Sequence, residues 1–345
     1  MTPLPFGKSN VLELIGRTPL VHLRRPSEDA GALVFGKCEF MNPGLSLKDR
    51  TALYIVEAAE RSGALKPGGT IVEGTAGNTG IGLAMIAAVK GYRCLLVIPN
   101  TMAREKIDII RGFGAEVRLV EKKPWDDPQH YNKITEQLSK EIPGAIWANQ
   151  FHNDANARAH YETTGPEIWE QTGGQVDVFL AGMGTAGTVV GAGRYLREVS
   201  AKAAAQGGLR EGRGPTRIIA VDPSGSVYRA FFKTGEPKAE GSSILEGVGI
   251  GKVPGNYDGS VLDDVINVTD AQAVTMLHTL TRSEGLFVGG CAGMVVAGAV
   301  AYAKAQPKGD RPLNLVAILS DTGRNYISKL FNPEWLKSQN LPVLE

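Results

Sequence analysis

The chain alternates between two kinds of segment. Short, β-branched or apolar runs ("GALVFGKCEF", "GTIVEG", "RCLLVIPN", "AEVRLV", "VDVFLAG", "RIIAVD" and "NLVAILSD") are separated by longer stretches with helical spacing. That is a βαβ rhythm, and it predicts an α/β fold with mostly parallel strands, since a parallel pair needs a long, usually helical, crossover. In "DRTALYIVEAAERSG" the residues Ala52, Ile55, Val56 and Ala59 fall at helical spacing. "NTGIGLAMIAAVKG" is a second helix, expected to close at Gly91. Glycine is abundant, 43 of 345 residues, and it clusters where strands feed helices: "EGTAGNTG", "AGMGTAGT" and "VGGCAGM". In folds of this kind, ligands bind where strand C-termini meet helix N-termini. The Gly-, Ala- and Arg-rich stretch 201–217 reads as a surface connection.

Charge and cysteine usage narrow the function classes. Lys and Arg number 37 against 36 acids, so a net charge of +1 provides no field to hold nucleic acid or an anionic membrane. A small neutral or zwitterionic partner fits better. The N-terminus has no charged-then-apolar signal pattern, and the run "MVVAGAVAYA" from Met294 is too short to span a bilayer, so a soluble, cytoplasmic protein is expected. Cys38, Cys94 and Cys291 are widely separated with no C-x-x-C pair, which favours a reducing compartment and suggests neither a disulfide nor a thiolate metal site. The histidines, His152 and His160 among them, form no H-E-x-x-H, and no metal site is expected.

Each glycine-rich turn offers specific chemistry. "FLAGMGTAGTVV" follows a strand and opens a helix, so the N–H groups of Gly184, Thr185, Ala186, Gly187 and Thr188 and two threonine hydroxyls can wrap a phosphate. The same letters match G-x-G-x-x-G at Gly182, Gly184 and Gly187, and Asp222 ends the next strand as a dinucleotide-binding aspartate would. That nicotinamide-cofactor reading leaves Lys48 and "EGTAGNTG" unexplained, whereas a small phosphorylated cofactor engages all three segments. Thr75, Ala76, Gly77, Asn78 and Thr79 form a second strand-to-helix turn that suits a carboxylate, although Asn78 is equally a favoured residue to cap the helix. Lys48, in "MNPGLSLKDR", sits where the positive end of the following helix and burial both disfavour its ammonium form. A neutral amine there can form a Schiff base and then act as a base. An exposed lysine starting a helix is the plain alternative.

The strings "NPGLSLKDR", "GTAGNTG", "GTAGT", "EGLFVGGCAGM" and "SDTGRNYISKLF" occur in order and at suitable separations. Together they resemble the pyridoxal-phosphate β-family (fold type II), in its cysteine synthase and cystathionine β-synthase branch, from "LELIGRTPLVHL" to about "FNPEWL". The resemblance implies roles. Lys48 would hold pyridoxal 5'-phosphate covalently and Asn78 would meet its 3'-oxygen. Gly184, Thr185, Ala186, Gly187 and Thr188 would cup its phosphate, and Cys291 would face its ring nitrogen. Thr75, Ala76, Gly77 and Thr79, with Gln150 of "NQFHN", would hold the substrate carboxylate. The implied activity is a cysteine synthase making L-cysteine and acetate from O-acetyl-L-serine and sulfide. The runner-up is a cysteine desulfhydrase or cystathionine β-synthase-like enzyme acting on cysteine, serine or homocysteine.

Two positions depart from the cysteine synthase pattern, which usually has serine at both: Ala76 and Cys291. A cysteine facing the ring nitrogen occurs among serine dehydratases of the wider family and leans toward elimination. The plain alternative for Cys291 is a small buried thiol packed among glycines with no electronic role. No cysteine-and-histidine extension or tandem regulatory module is apparent, so neither haem nor an adenosyl ligand is expected. The likeness implies two α/β domains, each a mostly parallel twisted sheet flanked by helices. The smaller and mobile one spans 41–155, and the larger, cofactor-binding one spans 11–40 plus 156–330. It also implies a homodimer.

Overall fold

The computed structural model describes residues 7–75, 77–125, 127–209, 213–239 and 241–343. Its strands are β1 (Leu20–His22), β2 (Leu33–Cys38), β3 (Thr70–Gly74), β4 (Arg93–Pro99), β5 (Glu116–Val120), β6 (Ala145–Trp147), β7 (Val178–Gly182), β8 (Arg217–Pro223), β9 (Asp264–Val268) and β10 (Asn314–Leu319). They form two sheets, in the orders β1-β2-β10-β7-β8-β9 and β5-β4-β3-β6. Every pairing is parallel except that of β1 with β2. Central strands such as β3 and β10 are buried along nearly their whole length, which is why they read as continuous apolar runs.

The βαβ rhythm locates seven of these strands. The other three, β1, β6 and β9, lie at sheet edges and are short or half-exposed, so they lack a continuous apolar run. The two anticipated helices form as Lys48–Arg61 and Asn78–Lys90, the latter closed by Gly91 at φ 75°. One expectation needs correction. The helix Gly187–Ala205 runs through the first residues of the 201–217 stretch, because alanine prolongs a helix readily.

The larger sheet buries one face against the helices Asp270–Glu284 and Gly290–Ala305, with Val295, Val296 and Leu277 inaccessible to solvent. Its other face packs on the helix Gly187–Ala205 through Val189, Val190 and Leu196. A separate core around Ile71, Leu83, Ile86 and Leu96 serves the four-stranded sheet.

A buried ionic network ties the helix Lys48–Arg61 to the larger sheet. Arg50 donates from Nε and Nη2 to Glu39 at 2.8 and 2.9 Å, and from Nη1 and Nη2 to Glu167 at 2.6 and 2.8 Å. Lys37 of β2 adds a 2.7 Å bond to Glu167. Burial alone would raise the Glu39 carboxyl, but Arg50, the Thr18 hydroxyl and Lys37 win and bring it down to about 2. Glu39 therefore contributes stability that is present above its ordinary carboxylate range and is lost as pH falls through about 2.

Removing one partner of such a network leaves buried charge uncompensated. Arg50→Ala is expected to cost about 3–5 kcal/mol in denaturant unfolding at neutral pH. In wild-type protein unfolding stability should rise from about pH 2 to about pH 4.5 as the paired Glu39 ionises, and in Arg50→Ala that rise should flatten.

Candidate active site

The C-terminal ends of β3, β7 and β10 open into one cavity of about 540 Å³. Lys48, Thr75, Gly77, Asn78, Thr79, Gln150, Gly184, Thr185, Ala186, Thr188 and Cys291 all line it. Gly187 starts the adjoining helix, and Ala76 lies outside the described residues. The dinucleotide aspartate does not reach the site: Asp222 is fully buried, and its Oδ2 accepts the Arg229 N–H at 3.3 Å. Among the described residues no three His, Cys, Asp or Glu side chains could hold a metal, and no helix is long and apolar enough to cross a membrane.

Backbone pairing puts Lys48 in the cavity. The Leu47 N–H donates to the Ser320 carbonyl at 2.9 Å, and the Thr322 N–H to the Leu45 carbonyl at 3.2 Å, so the segment before Lys48 is laced to the end of β10. Lys48 is the first residue of its helix. Burial lowers its pKa, and the nearby Asp321 opposes that shift only in part.

The loop Gly184–Thr188 is held from behind. Gly184 has no room for a side chain, since a Cβ would run into the Gly247 carbonyl, and the Tyr228 hydroxyl donates to the Gly184 carbonyl at 2.5 Å. Ala186 adopts a left-handed φ of 63°, a strained conformation for a residue with a Cβ, and such strain is commonly stored at functional sites. Asn156 Nδ2 donates to Thr185 Oγ1 at 2.8 Å, and His160 Nε2 lies 3.1 Å from Thr188 Oγ1. Burial drives the His160 pKa down to about 3, so the imidazole is neutral. The first N–H groups of the helix Gly187–Ala205 have no intrahelical acceptor, and with the two hydroxyls they make an anion cradle.

The second loop follows β3. Gly77 takes φ 150°, ψ −102°, and a Cβ there would lie 2.9 Å from Lys106 Cδ. Its N–H donates to Thr75 Oγ1 at 3.1 Å, while Thr79 Oγ1 donates to Gln150 Oε1 at 2.6 Å. Asn78 does not cap the helix; Gly77 occupies the cap position. Instead Asn78 Nδ2 donates to Asp321 Oδ2 at 2.7 Å, and its Oδ1 accepts from Asn325 at 3.2 Å.

Cys291, 8% exposed in the first turn of the helix Gly290–Ala305, accepts a 3.2 Å bond from Ser320 Oγ at its sulfur. Gly182 makes room for it, since a Cβ there would lie 2.8 Å from the sulfur. Burial pushes the thiol up to about 11, so it stays protonated and able to donate.

Ser320, Asp321, Tyr326, Lys106, Asn156 and His160 received no role from the sequence. They lie within "SDTGRNYISKLF", "TMAREKIDII" and "NQFHNDANARAHYE", strings that resemble the family without announcing which letters face the site.

An amine of lowered pKa, an anion cradle shaped by close backbone contacts and a polar contact that is not a carboxylate fit pyridoxal phosphate. Comparison with known proteins agrees. The signature of the family described as "Pyridoxal-phosphate dependent enzyme" matches residues 11–321. The chain is 42% identical to "Cysteine synthase 1" of Emericella nidulans, covering 96% of this chain and 87% of that protein. It is 38% identical to "Cystathionine beta-synthase" of Apis mellifera, covering 96% of this chain and 62% of that longer protein. Among solved structures, the O-ureido-L-serine synthase superposes with a TM-score of 0.82 at 37% identity, covering 95% of this chain and 96% of that one. By sequence signature, overall identity and superposed fold, the chain belongs to the pyridoxal-phosphate dependent enzyme family.

Proposed function

We propose that the chain is a cysteine synthase that converts O-acetyl-L-serine and sulfide into L-cysteine and acetate. The observation that carries this reading is the convergence, in one cavity, of the Lys48 amine, an anion cradle at Gly184–Thr188 and a second polar loop at Thr75–Thr79. Relatives named cysteine synthase that align over nearly the whole chain support it.

On this reading each residue has a task. Lys48 Nζ would hold the cofactor, and its depressed pKa suits the amine to accept the Cα proton of a bound amino acid. Thr185, Thr188 and the N–H groups of their loop bind the phosphate. Thr75, Gly77 and Thr79, with Gln150 fixed by its bond to Thr79, bind the amino-acid carboxylate and orient the Cα–H bond. Ala76 belongs to the same loop by sequence. Asn78 would offer its amide to the cofactor's 3'-oxygen, and Cys291 would offer its S–H to the ring nitrogen. Pyridoxal phosphate, when bound, would supply the electron sink that a β-replacement requires. The unit 41–155 closes over the substrate and excludes water from it. The reading carries with it a cytoplasmic homodimer acting on small molecules, with no nucleic acid or membrane partner.

One observation favours a second reading. The thiol of Cys291 stands where cysteine synthases usually have a serine hydroxyl, which favours β-elimination, or cystathionine formation from serine and homocysteine.

Product analysis separates the two. With O-acetylserine and sulfide, rapid cysteine formation and little pyruvate is the expected outcome; abundant pyruvate selects the eliminating reading. Lys48→Ala should abolish turnover while circular dichroism stays unchanged, and full activity in that variant would overturn the assignment. Because burial lowers the Lys48 pKa, its neutral amine should predominate at a lower pH than that of exposed lysines, which titrate near pH ~10.4. Reductive trapping of limiting pyridoxal phosphate at about pH 8 should therefore label Lys48 ahead of the surface lysines, as read by peptide mass spectrometry.

A further inference from the structure

Along the wall of the cavity a single chain of hydrogen bonds passes back and forth between the two sheet units, with Tyr326 set behind the lining residues Asn78, Lys106 and Asp321. Asn78 Nδ2 donates to Asp321 Oδ2 at 2.7 Å, and the Tyr326 hydroxyl donates to that same oxygen at 2.6 Å. Lys106 Nζ then donates to the Tyr326 oxygen at 3.0 Å and to Glu246 Oε2 at 2.8 Å. Lys329 closes the series with bonds of 2.6 Å to Glu246 Oε1 and 3.3 Å to the Thr101 carbonyl. Asn78, Thr101 and Lys106 belong to the half of the chain around the four-stranded sheet; Glu246, Asp321, Tyr326 and Lys329 come from the half around the six-stranded sheet.

The two ends that matter for binding meet at Tyr326. On one side, through Asp321, it fixes Asn78: with Asn78 Oδ1 taken by Asn325, the amide has one settled orientation. On the other side it holds Lys106, whose stem packs under Gly77, the glycine of the polar loop. Lys106 and Tyr326 are 1% and 3% exposed, and the ammonium also lies 4.2 Å from the centre of the Tyr326 ring. Gly289 is kept free of a side chain here, since a Cβ would collide with Asp321 and sit 2.7 Å from the ring. The hydroxyl of buried Tyr326 bonds both Asp321 and Lys106, so its loss takes one partner from each.

We infer that Tyr326 is a positioning residue that sets Asn78 and the Thr75–Thr79 loop in register across the two units, so that amino-acid binding depends on its hydroxyl. The inference rests on the proposed reading of that loop as the carboxylate site.

Tyr326→Phe removes one oxygen and keeps the ring, its packing and its face toward Lys106. Wild-type protein, Tyr326→Phe, Asp321→Asn and the double variant are each loaded with pyridoxal phosphate and titrated with O-acetylserine or serine while visible absorption is followed. The phosphate cradle does not touch Tyr326 and only Asn78 links it to the cofactor, so Tyr326→Phe should lose less in cofactor affinity than in amino-acid affinity, the latter read after saturating the cofactor. The half-saturating amino-acid concentration should rise about tenfold or more, the scale expected for a lost bond to a charged partner. The double variant should be little worse than the worse single variant, because both act through one chain of contacts. A half-saturating concentration within about twofold of wild type, or strictly additive effects, would overturn the inference. Wild-type protein that takes up cofactor but shows no saturable response to either amino acid overturns the carboxylate-site reading, and the inference with it. Wild-type protein that takes up no cofactor overturns the whole site assignment.

Discussion

The structure depends on one backbone contact, the bond from the Leu47 N–H to the Ser320 carbonyl. It joins the segment leading out of β2 to the end of β10, the strand beside β2 in the six-stranded sheet. Because β2 and β10 run parallel, their C-termini emerge together, and the chain leaving one can pair briefly with the chain leaving the other. Lys48 follows at once, so its position is dictated by sheet topology and not by the lysine itself. The same geometry delivers Ser320 and Asp321, and the neighbouring strand β7 delivers Gly182 and the loop after it. A cavity at converging strand ends is thus the expected result of parallel pairing, and the side chains decide only its chemistry.

That chemistry is organised by where charge is permitted. Glu39 is wholly buried yet ionised, since Arg50 and Lys37 surround it. Glu73, equally buried, has no cation against it, and desolvation outweighs the Asn149 N–H bond it accepts, raising its pKa to about 8. Asp49 behaves likewise at about 7 despite the Gly44 N–H. Buried charge is kept where it is paired, as behind the helix Lys48–Arg61 and at Lys106–Glu246, while carboxyls without a cation are pushed toward neutrality. Lys48 obeys the same rule with the opposite sign, and an amine kept from full protonation is what covalent attachment and proton transfer both require.

The sequence was informative where glycine or continuous burial was physically obligatory. Gly77 and Gly184 are unavoidable because Lys106 and the Gly247 carbonyl occupy the space a Cβ would need, so the loops that line the cavity were visible as glycine clusters. The central strands were visible because both their faces are covered. Edge strands carry no such constraint: β5 is legible from its valines and leucine, whereas β1 and β6, three residues each, and the half-exposed β9 are not. Asn78 shows a subtler limit. Its residue type fitted a helix cap, but its partners, Asp321 and Asn325, lie more than two hundred residues away, and local spacing contains no trace of them. Asn156 and His160 were hidden for the same reason, since they act on Thr185 and Thr188 only through tertiary contact.

The Cys291 site shows how such contacts change the meaning of a residue. A cysteine in the first turn of a helix is ordinarily a candidate thiolate, since the helix N-terminus and a nearby lysine both favour the anion. Here burial prevails over both the Ser320 hydrogen bond and the Lys48 charge, and the thiol remains protonated to about pH 11. Ser320 donates to the sulfur, so the sulfur's lone pairs are engaged and its own proton is left to point elsewhere. The pair therefore offers the cavity a weak, uncharged donor. A carboxylate in that position would hold a proton on a facing ring nitrogen, whereas a neutral thiol cannot. On the proposed reading, Cys291 would meet a ring nitrogen with a weak, neutral donor. The thiol on that reading favours elimination, and closure of the loop at Thr75–Thr79 would oppose it by keeping water out until the second substrate arrives.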